Sequence, residues 1–244
     1  MAGMEYFHLD YRSVDYFIGR LQTRLRSSSS ATLRERFGRW DPETHGEPAM
    51  AIVAKIEMLN RVVGRLNSDL GQLCAHLETV PDKVEQCIVE GRALSIPNSD
   101  LLWQISIDID SFLFEARSAY ELLGKFLHAF FALIFERRIT EEQVVGAVKD
   151  LGGEVAWIPI LRENRKLFFH NTSPWIAVER TAENSVRFDL LLLKRNAQKL
   201  ASGDFLHFRD CRAIQRGLAE SVQKISVWIV NEIASVEHDD TLRE

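Results

Sequence analysis

Cysteine is scarce in this chain of 244 residues, and no two cysteines stand at the spacing of a metal or redox motif. The three are Cys74, Cys87 and Cys211, an odd number without a CxxC pair. Disulfide-rich secreted domains carry a dense, even set of cysteines, and cysteine-built zinc sites use paired spacings. We therefore expect three reduced thiols and no zinc site of this kind.

Long apolar runs are missing as well. The most apolar stretch, residues 122–135, is shorter than the roughly 20 residues that cross a bilayer, and it contains Lys125 and His128. Glu5 and Asp10 interrupt the N-terminal segment where a signal peptide would have a basic end followed by an apolar run. The sequence thus predicts a soluble, cytoplasmic protein that does not associate with membranes.

Common catalytic signatures are absent too. The sequence contains no GxxxxGK phosphate loop, no GxGxxG turn, no GxSxG elbow and no HExxH pair. Histidines and carboxylates are too scattered to suggest a metal site, so we expect no required metal and no cofactor. A small-molecule enzyme that uses the helical core has no residue pattern in its favour.

The charge balance limits the kinds of nucleic-acid binding that are open to this protein. A net charge of −5 argues against coating of nucleic acid, which depends on many basic contacts to phosphate, so any RNA site must be local. Arginine outnumbers lysine 22 to 8, and guanidinium groups suit bidentate contacts with phosphate. Arginine-rich codon usage would produce the same count.

Helical periodicity dominates the residues that remain. Apolar side chains recur every three or four positions over residues 49–77, from about residue 99 to Arg137, and from Phe208 to about residue 236. Residues 103–110 alternate as a strand would, but the helical phase continues through them to residue 134. Three long helices are therefore predicted.

Shorter elements connect these helices. Thr140 and Gln143 fit a capping box that opens a short helix, and a further helix is predicted from near Pro159 to before Pro174. Strand-forming residues favour a small β-hairpin near 175–194. The predicted fold is mainly α, an antiparallel helical bundle with a hairpin insertion, in which residues 1–45 form an appendage with a polar linker and residues 46–240 form the helical domain.

One short motif combines an arginine and a histidine, two residue types suited to catalysis. Arg165 is followed by four residues and then by His170 near the predicted end of a helix, in the run Arg165-Lys-Leu-Phe-Phe-His170. The supporting polar residues are Arg162, Asn164, Lys166 and Asn171. A purely structural interpretation is equally open, in which His170 hydrogen-bonds the last carbonyls of the helix and the basic residues interact with the negative end of the helix dipole.

Together with the preceding long helix that contains Asp-Ser-Phe-Leu-Phe-Glu-Ala-Arg-Ser-Ala-Tyr-Glu, this motif resembles the HEPN superfamily over about residues 50–235. The resemblance implies an all-helical homodimer that cleaves RNA without a metal, leaving a 2′,3′-cyclic phosphate and a 5′-hydroxyl. It implies that His170 moves protons and that Arg165 stabilises charge on the phosphoryl group. Toxin–antitoxin and phage-defence systems are the implied settings, with an antitoxin or a neighbouring protein as a further partner.

The motif departs from the family pattern at two positions. Lys166 follows the arginine where active members often have a small polar residue such as asparagine, and Thr172 stands where some toxins have tyrosine. The alternative interpretation is therefore a non-catalytic HEPN-like module that binds a protein partner or RNA.

Overall fold

A computed structural model describes residues 11–90, 99–168, 175–183, 185–193 and 205–242. These residues are mainly helical, which confirms the predicted mainly α class, while the antiparallel bundle arrangement stays a prediction. The α-helices are α1 Tyr11–Arg26, α2 Ala31–Phe37, α3 Glu47–Glu78, α4 Pro81–Glu90, α5 Ser99–Ile134, α6 Glu141–Asp150, α7 Trp157–Phe168 and α8 Phe208–Thr241. A single π-helical turn spans Pro42–Gly46, and the strands are β1 Trp175–Glu183, β2 Ser185–Leu193 and β3 Phe205–His207.

The chain divides into two compact units. The first comprises Met1–Asn60, Glu115–Leu161 and Ala213–Glu244, and the second comprises Arg61–Phe114 and Arg162–Arg212. Each of the three long helices contributes residues to both units. The division between residues 1–45 and 46–240 is a different one and stays a prediction. No helix in the described part of the chain combines the length and apolarity needed to cross a bilayer.

Aromatic rings fill the core of the first unit. Phe126, Phe130 and Phe131 of α5 are completely buried. Phe131 stacks on Trp228 of α8 with ring centroids 4.6 Å apart, and Trp40 meets the edge of Phe130 at 6.2 Å. Aromatic pairs at these distances add specific attraction to the hydrophobic effect of burying the rings. The apolar stripe predicted for α5 is therefore the side that faces this core.

The segment predicted as a polar linker contains regular structure, including helix α2. Ser30 caps α2, since its hydroxyl accepts a hydrogen bond from the Leu33 amide at 3.2 Å, and Leu33 is fully buried. The Ser28 hydroxyl donates to Glu237 Oε1 of α8 at 2.6 Å. This local structure differs from the solvated loop that a serine-rich composition usually indicates, because these serines cap α2 and hydrogen-bond to α8.

The second unit contains a three-stranded antiparallel sheet in the order β1-β2-β3. Trp175 pairs with Leu193 at one end of β1, and Leu191 pairs with His207 across β2 and β3. Leu191 and Leu206 are both buried. Because Leu191 pairs with His207 and Leu206 pairs with Leu192, the two leucines lie on opposite sides of the sheet. β3 and α4 were not predicted from the sequence. α4 begins at a proline, which suits a first helical position.

The start of the motif helix α7 is held tightly in the first unit. Trp157 is buried, meets the ring of Tyr120 edge-on at 5.6 Å and donates its indole N–H to the Ser221 hydroxyl at 3.3 Å. The indole also lies directly against Gly217 of α8, where an added Cβ would stand 2.0 Å from Trp157 Cδ1. Only a residue without a side chain fits at position 217.

We expect Gly217→Ala to destabilise the protein, because the methyl group would displace the indole of Trp157 at a cost of about 1–3 kcal/mol. The roughly 1 kcal/mol that alanine gains over glycine in a helix offsets only part of this cost. Gly64→Ala on α3 is the matched control, since an added Cβ there meets nothing within 4 Å, and it should be neutral or stabilising. Urea unfolding of both variants measures the difference; equal stabilities would contradict the close approach.

Glu237 ties the Ser28 segment to α8 in a way that depends on pH. Burial alone would raise its pKa, but hydrogen bonds from Ser28 and Arg24 outweigh this effect and hold the pKa below the ordinary value of 4.5. A lowered carboxyl pKa contributes stability above the unfolded-state pKa, and that stability is lost as the pH falls through the folded-state pKa.

We therefore expect Glu237→Gln to cost about 1–3 kcal/mol near neutral pH and progressively less below about pH 4. Thermal unfolding across this pH range measures the effect. Asp239→Asn is the control, because Asp239 is an exposed carboxylate on the same helix. A pH-independent cost for Glu237→Gln would show that the charge of Glu237 is not what holds the segment.

Candidate functional site

The structure describes only some of the residues of the Arg-x4-His motif. Asn164, Arg165 and Lys166 belong to α7, and Arg162 is exposed on the same helix. His170 and Asn171 lie outside the described residues. The predicted helix before Pro174 is present over Trp157–Phe168.

Three buried apolar residues fix the beginning of this helix. Trp157, Ile158 and Leu161 are all buried and belong to the first unit. Their spacing of one, three and four positions places them on the inner side of the first turn and a half. Arg162 follows directly on the exposed side. The helix that carries Arg165 therefore starts from a rigid, packed point.

A cluster of polar side chains that was not predicted from the sequence lies in the second unit. Arg65 of α3 donates three hydrogen bonds to Asp108 of α5, with Nε 2.9 Å from Oδ2 and Nη2 2.8 Å from Oδ1. Asp108 is 1% exposed, whereas the side chain of Arg65 is half exposed. This forked geometry is the strongest kind of arginine–carboxylate pair, and it compensates the burial of the Asp108 charge.

Asp69 lies on α3 one turn after Arg65 and is buried without such compensation. It is 8% exposed, and its Oδ2 atom has no hydrogen-bond partner among the described residues. Burial raises its pKa, the nearby Asp108 carboxylate raises it further, and Arg65 lowers it in part. The balance favours the protonated form of Asp69 more than in a solvated aspartate.

The sequence contains a signal for this cluster. Asp69 and Asp108 both occupy positions on the buried helical stripes, Asp69 between Leu66 and Leu73 and Asp108 between Ile105 and Phe112. Charged residues on a buried stripe are rare unless they are paired. No group of three potential metal ligands occurs in the described residues.

The basic residues at the start of α8 are engaged with protein groups. Arg212 donates to the Asn67 side chain at 2.6 Å, and its guanidinium lies 4.8 Å from the centre of the Phe208 ring. Arg209 is exposed and contacts His207 Nε2 at 3.0 Å. The spacing of these arginines suits a phosphate-binding face, but the Arg212 guanidinium is already used in packing.

We expect Asp69→Asn to stabilise the protein by about 1–3 kcal/mol near pH 8, because it removes a buried negative charge that has no hydrogen-bond partner at Oδ2. A raised folded-state pKa contributes stability only while the group is protonated, and this is lost as the pH rises through that pKa. The gain should therefore shrink toward about pH 4. Unfolding midpoints over this range test the expectation.

The exposed Asp110 of α5 supplies the control for this experiment. Asp110→Asn removes an equal charge from a solvated position and should change the stability by less than about 0.5 kcal/mol. Destabilisation by Asp69→Asn at every pH would mean that the carboxylate of Asp69 has a stabilising role.

Comparison with protein-family models, with curated proteins and with solved structures finds no match for this chain.

Proposed function

We propose that this protein is a metal-independent endoribonuclease of HEPN type. The observation that carries the proposal is the run from Arg165 to His170, in which an arginine within α7 precedes a histidine by five positions. Support comes from the mainly helical fold, the packed start of α7 and the exposed Arg162 beside the motif. We place the protein in the cytoplasm, in a toxin–antitoxin or phage-defence setting.

The proposed reaction is an internal transfer within RNA. The 2′-hydroxyl oxygen attacks the adjacent phosphorus while the bond to the 5′-oxygen of the next nucleotide breaks. The products are a 2′,3′-cyclic phosphate and a 5′-hydroxyl, so one proton leaves the 2′-oxygen and one arrives at the 5′-oxygen. No water, oxidant or additional phosphate is consumed.

His170 is the proton-transfer group in this mechanism. An imidazole with a pKa near the ordinary value of about 6.5 both accepts and donates a proton close to neutrality, which suits a reaction that needs one transfer in each direction. Arg165 supplies fixed positive charge to the phosphoryl oxygens, where negative charge grows in the transition state. Arg162, Asn164, Lys166 and Asn171 are the supporting RNA-binding groups.

Helix geometry favours a site built from two copies. Five residues along an ideal α-helix rotate by about 140°, so a continuous helix would direct positions 165 and 170 to different sides. Two chains that bring their motifs together would supply an arginine and a histidine to the same phosphate. A homodimer is therefore part of the proposal.

Lys166 favours a second candidate function. Active relatives in the family often have a small polar residue after the arginine, and a lysine there adds charge without adding a neutral hydrogen-bonding group. In this alternative the chain is a non-catalytic HEPN-like module that binds RNA or a protein partner through the basic residues of α7.

We expect the wild-type protein to cleave mixed RNA in the presence of excess chelator and to leave cyclic phosphate ends. His170→Ala and Arg165→Ala should each lower the rate by about 100-fold or more, because each removes a group that acts in the transition state. Chemical identification of the new ends and single-turnover rates measure the outcome. His128→Ala, which changes an exposed histidine of α5, is the control and should retain full activity.

Two results would contradict the ribonuclease. Folded Arg165→Ala and His170→Ala variants that cleave at the wild-type rate would place the activity elsewhere. Absence of cleavage by wild type, with RNA binding that weakens in Lys166→Ala, would support the binding module.

A further inference from the structure

One side of helix α5 exposes a tryptophan and an isoleucine. Trp103 is 62% exposed and Ile107 is 57% exposed, and the two lie one turn apart on the same side of the helix. Ile105 and Ile109 are fully buried on the opposite side of the same segment. Phe114 continues the exposed side but has a contact of its own. Trp103 and Ile107 are therefore defined as the α5 patch.

Two aspartates border the α5 patch. Around the axis of an ideal helix, Asp110 lies about 20° beyond Trp103 on one side, and Asp100 lies about 20° beyond Ile107 on the other. Both aspartates are exposed, and neither makes an ion pair in the described part of the chain. The patch thus combines large apolar side chains with uncompensated negative charge on both of its edges.

The stretch of α5 around the patch contains no basic residue. Residues 99–116 include four carboxylates and no lysine, arginine or histidine. Two of the four have cationic partners on α3: Arg65 bonds to Asp108, and Lys55 lies 2.6 Å from Glu115. The other two are the aspartates that border the patch, so their charge is not offset by any cation on this stretch of α5.

We propose that the α5 patch binds a cationic amphipathic helix of a partner protein. The partner helix lies along α5 for about three turns, sets its apolar side on Trp103 and Ile107, and places lysine or arginine side chains beside Asp100 and Asp110. A helix suits this surface better than an extended peptide, because an extended peptide gains its affinity from the free backbone groups of a sheet edge. The backbone groups inside a helix are already bonded to one another.

Charge separates this occupant from three others. A second copy of the same side would bring two more carboxylates and no cation to the contact. A base of single-stranded RNA suits the face of Trp103, but Asp100 and Asp110 would repel its phosphates. An anionic membrane surface would be repelled in the same way. A cationic helix matches both the apolar groups and the charges.

The proposal rests on α5 and goes beyond the proposed ribonuclease. Arg165 belongs to α7 and His170 to the segment after it, so substitutions in the α5 patch leave both motif residues in place. Two apolar anchors and two ion pairs make a contact smaller than a standard interface, which buries roughly 800 Å² per partner. We therefore expect weak, reversible binding with a dissociation constant on the order of tens of micromolar.

Titration of the full chain with two model helices tests the charge preference. Both are peptides of about 18 residues, long enough to form a helix in water, with the same leucine pattern. One has lysine at its polar positions and the other has glutamate. The lysine peptide should bind at least about tenfold more tightly, because only its cations pair with Asp100 and Asp110. Isothermal titration calorimetry measures both dissociation constants.

Substitutions in the patch locate the binding. Trp103→Ser and Ile107→Ser should each weaken binding of the lysine peptide by about tenfold, because each removes one of the two apolar anchors. Met50→Ser is the matched control, since Met50 is 56% exposed on α3, and it should bind as wild type does. Circular dichroism checks that each variant is folded.

Removal of the bordering charges tests the electrostatic part of the proposal. The double variant Asp100→Asn/Asp110→Asn should bind the lysine and glutamate peptides about equally, because its patch keeps the apolar anchors and loses the carboxylates. The control is Asp82→Asn/Asp239→Asn, which makes the same change of net charge at exposed aspartates of α4 and α8. This control should keep the preference for lysine.

Four results would overturn the proposal. They are no binding of the lysine peptide, equal affinity of wild type for both peptides, lysine-peptide binding unaffected by Ile107→Ser, and a wild-type dimer or an RNA complex that Trp103→Ser abolishes. RNA cleavage is measured separately. A protein that binds the lysine peptide without cleaving RNA refutes only the ribonuclease, and one that cleaves RNA without binding the peptide refutes only the docking surface.

Discussion

The contact between Trp157 and Gly217 is the constraint on which the placement of the motif helix depends. An indole is the largest side chain available, and it can lie this close to another helix only where the facing residue has no Cβ. The contact buries the whole ring, satisfies its N–H on Ser221 and sets α7 at one point of the first unit. The helix that contains Arg165 starts at this point, so the chemistry proposed for the motif rests on a packing interaction.

Two buried aspartates of the second unit differ in how well the protein compensates their charge. Asp108 is almost inaccessible to solvent, yet Arg65 satisfies it through a fork of hydrogen bonds. Asp69 is nearby, carries a raised pKa and has one oxygen without a partner among the described residues. Because a desolvated carboxylate is costly without compensation, the pair of aspartates makes this unit sensitive to the protonation of a single side chain.

The proposed ribonuclease depends on proton transfer and charge stabilisation by residues of α7 and the segment after it.

The sequence by itself determined the helices and their caps. Apolar spacing predicted α3, α5 and α8 to within a few residues, and the Thr140–Gln143 capping box is present in both directions, because these signals act within one or two turns of the chain. The alternating run at residues 103–110 is helical, since the longer periodicity governs the buried side. The Arg165–His170 motif was also identified from the sequence, and its role stays a prediction.

Tertiary structure alone decided the rest. The serines of the predicted linker became caps and hydrogen-bond donors because Glu237 and Asp240 of α8, more than 200 positions away, accept from them. Gly217 became indispensable only when Trp157 packed on it, and the pKa of Asp69 is raised only in the folded chain, where burial and then the Asp108 carboxylate act on it. Local patterns report which side of an element is apolar, but burial and electrostatic environment depend on distant residues that meet only in the folded chain.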